Sequence, residues 1–262
     1  MQTVLKFFLL VLAGWAGTAA AQSPSRAEVR PTIVLVHGAF AESASWDAVT
    51  GGLLKDGYPV IAVANPLRGV KADSSYLLSL LKSVPGEVIL VGHSYAGIVM
   101  TEAAGDAPNV KSLVYVAGYA PDVGESAASI SRQFPEGTLG PAIAPPVTNA
   151  DGSKDLYIDQ SKFWSQFAAD VPQSDALKMA ASQRPIAEAA LAESVTTAAW
   201  KTKPSWFIYG ARDKNIPRSA LAFMAKRAAS KETVEVPGAS HVVMISHPQK
   251  VLAMIKRAAA SR

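Results

Sequence analysis

Three residue types that together can activate a hydroxyl stand in a fixed order along the chain, as Ser94, Asp213 and His241. Each falls just past a segment that reads as a strand. Ser94 lies in Gly92-His93-Ser94-Tyr95-Ala96-Gly97 after residues 87–91. Asp213 closes Tyr209-Gly210-Ala211-Arg212-Asp213, and His241 closes Gly238-Ala239-Ser240-His241. A serine hydroxyl is a poor nucleophile until a base takes its proton. An imidazole base in turn needs a carboxylate that fixes its tautomer and stabilises the imidazolium. The residues two places either side of Ser94 are small, Gly92 and Ala96, as a tight strand-to-helix turn requires. The strict Gly-x-Ser-x-Gly spacing is altered, because Ala96 takes the last place and Gly97 follows it. Taken alone, the segment fits a capping serine at an ordinary turn equally well.

A further segment, His37-Gly38-Ala39-Phe40, follows the run TIVLV. Acyl transfer needs two N–H donors aimed at a developing oxyanion. The backbone N–H of Tyr95, beside the serine, and that of Ala39, after a glycine that lets the chain turn towards the site, are the candidates. A plain turn is the other reading of this segment.

The elements that must position these groups alternate. Strands are expected at residues 32–36, 58–63, 87–91, 110–117, 205–209 and 232–236, where apolar, largely β-branched runs end at Gly, Asn or Pro. Helical spacing appears at 45–54 (Trp46, Val49, Leu53, Leu54), 74–82 (Tyr76, Leu77, Leu80, Leu81), 98–104, 219–228 and 248–260. Continuous apolar strands separated by helices predict a mostly parallel, doubly wound sheet covered on both faces. All three candidate side chains then fall at the carboxyl ends of strands, where open α/β sheets bind ligands. The rhythm breaks from about 121 to 203. That block shows no strong strand and reads as an inserted helical cap, with helices at 159–170, 172–182 and 185–194 and a Gly/Pro-rich loop over 136–152.

Composition excludes several other classes. The 262 residues are 49% hydrophobic and 18% charged, an ordinary globular balance. There are 0 Cys, hence no disulfide, zinc-thiolate site or cysteine nucleophile. The 25 basic and 21 acidic residues give a net charge of +4 without a basic block, which argues against nucleic acid as a partner. Residues 1–21 hold Lys6, then the apolar FFLLVLAGW, then Ala19-Ala20-Ala21, the pattern of a cleavable signal peptide with cleavage before Gln22. The apolar run is short for a bilayer span of about 20 residues. The expected product is a periplasmic or secreted domain over 22–262, without stable membrane insertion.

The segments HGAF, GHSYAG, GARDKNIP and GASH, in this order, resemble those of the α/β-hydrolase superfamily, over essentially all of the chain from Thr32 onward. Within it the chain is similar to small bacterial esterases related to the plant methylesterase and hydroxynitrile lyase group. The resemblance implies Ser94 as nucleophile, His241 as base and Asp213 as acid, with Ala39 and Tyr95 as the oxyanion donors. It also implies a small ester as substrate and no metal or organic cofactor.

Rival residues have other roles in this reading. His37 and His93 support the turns, and His247 marks a helix boundary. Asp122, placed after the fourth long strand where some relatives carry the acid, caps the start of the insert, and Asp106 ends a helix. The stripe Phe163, Trp164 and Phe167 is core packing unless the cap covers the site. The alternatives to an esterase are a lyase using the same three groups for proton transfer and a non-catalytic binder on the same scaffold. In plant lyases of the group the position of Gly38 carries Thr, and Lys follows the catalytic histidine. Here the residues are Gly38 and Val242.

Overall fold

The computed structural model describes residues 30–261, so the expected leader over residues 1–21 lies outside the described residues. The chain opens with β1 (Thr32–Val36), α1 (Asp47–Lys55), β2 (Val60–Val63), α2 (Val70–Ser83), β3 (Val88–His93), α3 (Ala96–Ala103) and β4 (Val110–Val116). The insert follows, with α4 (Ala127–Gln133), β5 (Val147–Thr148), β6 (Lys154–Leu156), α5 (Gln160–Phe167), α6 (Gln173–Ser182), β7 (Ile186–Ala187) and α7 (Glu188–Ala192). Then come β8 (Ser205–Gly210), α8 (Arg218–Arg227), β9 (Glu232–Val236), α9 (Val243–Ser246) and α10 (Pro248–Ala260).

The main sheet has the order β2-β1-β3-β4-β8-β9, and every neighbouring pair is parallel. Strands β1, β3 and β8 are buried at every position, as strands covered on both faces must be. The chain steps outward from β1 to β2, then returns across β1 to β3. With right-handed crossovers this reversal puts α1 and α2 on opposite faces. Accordingly α10 packs on α1, and α3 packs on α2. The gap between the outgoing ends of β1 and β3 is the switch point of the sheet, where ligands bind in such folds. Ala39 and Ser94 follow those two ends.

The insert is helical as expected, and it also holds a small antiparallel sheet, β5-β6-β7. Strands of two or three residues are too short to show a period of two, so nothing in the sequence marks them. α4 begins at a reciprocal cap in which Ser126 and Ser129 exchange side-chain-to-backbone hydrogen bonds. The segment expected as a helix from 185 starts instead as β7. α2 begins four residues before the expected Ser74, because Glu193 at the end of the insert accepts the Val70 and Lys71 N–H groups at 2.6 and 3.2 Å. Leu54 and Tyr76, expected on inward faces, are exposed. The inward face of α2 is instead Val70, Asp73, Ser74, Leu77 and Leu81.

The turn from β3 into α3 fixes how close the elements come. A Cβ on Gly97 would lie 2.2 Å from the Tyr119 carbonyl oxygen and 2.8 Å from its nitrogen, both backbone atoms with little freedom to yield. Gly97 is thus the glycine this elbow requires, which explains how the alanine at 96 is tolerated. Gly51, inside α1, has open space around the same point. In urea unfolding we expect Gly97→Ala to destabilise the fold by about 3 kcal/mol. Gly51→Ala should be neutral or stabilise by up to about 1 kcal/mol. Equal midpoints for the two variants would refute this account of the elbow.

Candidate active site

Ser94 sits at the apex of the elbow with φ 54°, left-handed backbone that a residue with a Cβ adopts at a cost of about 1–3 kcal/mol. Three backbone bonds hold it there. Its N–H donates to Val116 O at 3.2 Å, and its carbonyl accepts from Gly97 and Tyr119 at 2.9 and 3.2 Å. The side chain is thereby turned off the end of β3 in an almost fully buried position.

Asp213 and His241 meet. The His241 Nδ1–H donates to Asp213 Oδ2 at 2.7 Å, and both side chains have 0% exposure. The other oxygen, Asp213 Oδ1, accepts the N–H groups of Asn215 at 2.8 Å and Ile216 at 3.0 Å. The carboxylate therefore cannot turn, and it commits Nδ1 as the donor. That leaves His241 Nε2 with its lone pair. Nε2 is buried and has no hydrogen-bond partner among the described residues. Ser94 reaches the same rim, but no hydrogen bond joins its Oγ to Nε2. The link between the two segments runs through His93, whose Nε2–H donates to the His241 carbonyl at 3.2 Å and whose ring lies 4.7 Å from the His241 ring.

The Ala39 and Tyr95 backbones are buried at this rim, and neither N–H donates to any group among the described residues. Gly38 serves differently from the expectation. A Cβ there would stand 2.7 Å from Ser94 Cβ and 2.7 Å from His93 O, so the residue is small because the loop lies against the serine. The left-handed turn falls two residues later, at Phe40 (φ 60°), whose N–H donates to Arg184 O of the insert at 3.0 Å.

The rival residues are accounted for by their partners. His37 Nδ1–H donates to Gly38 O at 2.9 Å, and its Nε2 accepts the Asn65 N–H at 3.0 Å. Asp122 pairs with Lys201, and this contact holds its carboxyl below the usual range. Asp106 is exposed. His247 lies against Ser246 and Asp170.

Two further groups stand at the site: Phe167, expected in core packing unless the cap covers the site, and Asp73, to which the sequence assigns no role. Phe167 places its ring 5.1 Å from that of His241 and 6.3 Å from that of Phe40, while Trp164 of the same stripe is exposed. Asp73 is buried, and its Oδ2 accepts the Tyr95 phenol at 3.0 Å. The sequence does hold a signal for Asp73: a carboxylate four residues before Leu77, on the inward face of α2. Among the described residues no three His, Asp or Glu side chains converge as metal ligands would.

A family model described as the alpha/beta hydrolase family matches residues 33–254. An alpha-hydroxynitrile lyase of Arabidopsis thaliana is 27% identical over 239 residues, covering 83% of this chain and 93% of its own. Methylesterase 3 of the same plant is 25% identical over 254 residues, covering 88% and 97%. The crystal structure of polyneuridine aldehyde esterase superposes with a TM-score of 0.75 at 18% identity, over 87% of this chain and 98% of that one, a likeness of fold.

Burial of His37 pulls its pKa from 6.5 to about 4. The folded chain holds this ring neutral, while the unfolded chain protonates it near 6.5. Its contribution is complete above pH 6.5 and is lost as pH falls through about 4. His93, lowered well below 6.5 mainly by burial, acts in the same direction. The stability advantage of wild type over His37→Gln, from urea midpoints, should therefore shrink between pH 6.5 and 4. A gap constant over that range would refute the assignment.

Proposed function

The chain belongs to the alpha/beta hydrolase family, and from that premise we propose that it is a serine carboxylesterase acting on small or medium apolar esters. The observation that carries this reading is the fully buried Asp213–His241 pair, bonded at 2.7 Å, with Nε2 left free at the rim that holds the left-handed Ser94. His241 Nε2 takes the Ser94 proton as Oγ attacks the ester carbonyl. Oγ and Nε2 come into hydrogen-bond contact as substrate closes the site, a common behaviour of catalytic pairs. The Ala39 and Tyr95 N–H groups, free of other acceptors among the described residues, stabilise the tetrahedral oxyanion. His241 returns the proton to the leaving alkoxide, and an acyl-enzyme remains. The imidazole then deprotonates water, which attacks the acyl carbon; the acyl–Oγ bond breaks, the acid leaves, and His241 returns the proton to Ser94 Oγ.

The esterase names among the relatives support this choice, while the lyase relative raises proton transfer as the competing reading. The packing at Gly38 favours hydrolysis. The threonine that the plant lyases carry there would place its Cβ 2.7 Å from Ser94 Cβ, and Val242 stands where they carry lysine. The leader over residues 1–21 makes the enzyme an exported one, periplasmic or secreted. Among the described residues no helix is long and apolar enough to cross a membrane. Intact-mass measurement on exported protein should find Gln22 as the first residue, and an intact Met1 terminus would refute the leader.

A chain-length series of p-nitrophenyl esters tests the activity. Ser94→Ala should lower kcat/KM by about a thousandfold or more, and Asp213→Asn by a factor on the order of 10⁴ in kcat. A fluorophosphonate should label Ser94 alone. Folded protein that takes no label, or that releases cyanide from mandelonitrile without turning over esters, would overturn the proposal.

A further inference from the structure

Tyr95 offers its backbone N–H to the oxyanion, yet its side chain does something unrelated to that. The ring runs beneath α2, is 1% exposed, and ends with its hydroxyl donating to Asp73 Oδ2 at 3.0 Å. Asp73 has no exposure at all. Its Oδ1 accepts the Arg68 N–H at 3.0 Å, and its Oδ2 also accepts the Gly69 N–H at 3.4 Å. A carboxylate in this position costs folding energy, and burial pushes its pKa up despite those bonds. No part of the hydrolytic mechanism uses it as an acid or base.

The cost has a geometric return. The nucleophile elbow is fixed at Ser94 by backbone bonds, but the next N–H has no acceptor to hold it among the described residues. Two anchors hold Tyr95 there. One is its carbonyl, which accepts from Ile98 and Val99 in α3 at 2.9 and 3.4 Å, and the other is its phenol. The phenol is a rigid lever from this peptide to α2. At its far end Asp73 is gripped by two N–H groups of the 68–69 turn. That turn is itself held to the insert by the Arg68–Asp155 pair at 2.6 Å and by Glu193 on the first N–H groups of α2.

Resting on the esterase reading, we infer that the Asp73–Tyr95 hydrogen bond is a positioning device for catalysis, which sets the direction of the Tyr95 N–H towards the oxyanion. Asp73 touches no substrate. It acts through the phenol, and its effect belongs to the transition state, where charge on the oxygen develops, more than to substrate binding.

Tyr95→Phe and Asp73→Asn each remove part of the bond with little change of shape. In the full chain, with active sites counted by fluorophosphonate labelling of Ser94, both should lower kcat on p-nitrophenyl butyrate about tenfold and leave KM within about twofold. Inhibition by an alkylboronic acid, which forms a tetrahedral adduct on the serine, should weaken by a similar factor. The double variant should be no worse than the more impaired single. A merely structural bond would lower the melting temperature or the count of labelled sites and leave kcat per labelled site unchanged. That result in either variant overturns the inference. If Ser94→Ala keeps wild-type ester turnover, the esterase reading itself fails. If Ser94→Ala is inactive while Tyr95→Phe matches wild type per labelled site, only the positioning role fails. Should Tyr95→Phe not fold, the same readouts on Asp73→Asn decide.

Discussion

A carboxylate with no solvent contact survives only if its lone pairs are occupied, and at Asp213 every bond that satisfies this condition also shapes the site. Two backbone N–H groups of its own loop close on Oδ1 and fold residues 213–216 into a tight cradle. The other oxygen is held by the His241 Nδ1–H. The tautomer of the histidine is thus dictated from outside the ring. Since β8 and β9 are adjacent and parallel, the loops that leave them are held side by side. The pair follows from strand order, and its chemistry follows from burial. The Phe167 ring packs beside the imidazole and both partners of the pair are buried, so the Nδ1–Oδ2 bond retains the strength of a low-dielectric setting.

On the other side of the rim the constraint is steric. Ser94 holds a left-handed backbone because its peptide groups are engaged and because its neighbours are too small to resist. Gly38 lies against its Cβ, Gly92 against the Ala96 carbonyl, and Gly97 against Tyr119. Each contact would be closed by one methyl group. The elbow is therefore produced by three chain segments converging, and the serine turn is only one of them. His93 completes the join, since its ring bridges the elbow to the main chain of His241.

Much of this is legible in the chain itself. β1 and β9 span the segments TIVLV and ETVEV read as strands, and α10 opens at Pro248, a residue whose fixed φ and missing N–H suit the first position of a helix. The three separated groups can be read because each follows a strand, and a parallel sheet brings strand ends together. What stays hidden depends on contacts distant in sequence. The first turn of α2 is completed by Glu193, and the strands of the insert are too short to carry a period. Gly38 reads as a turn residue in the sequence, whereas its smallness answers to Ser94, far along the chain. Asp73 shares the helical phase of the buried leucines, which marks it as unusual, but nothing in the sequence names its partner.

The insert is more than a cover. Residues 184–187 fasten the loops that follow β1 and β2. The Arg184 carbonyl holds the Phe40 N–H, next to Ala39. The Pro185 carbonyl holds the Arg68 guanidinium at 3.0 Å, and the Ala187 N–H donates to Leu67 O at 3.0 Å. The loop after β1 carries Ala39, proposed as one oxyanion donor, and the loop after β2 leads through Asp73 to Tyr95, proposed as the other. A cap fastened in this way cannot lift as a rigid body without breaking the hydrogen bonds that hold the loops leading to the proposed donors. Preorganisation of this kind is what oxyanion stabilisation requires, because donors that must reorient during the reaction lose the advantage they hold over water.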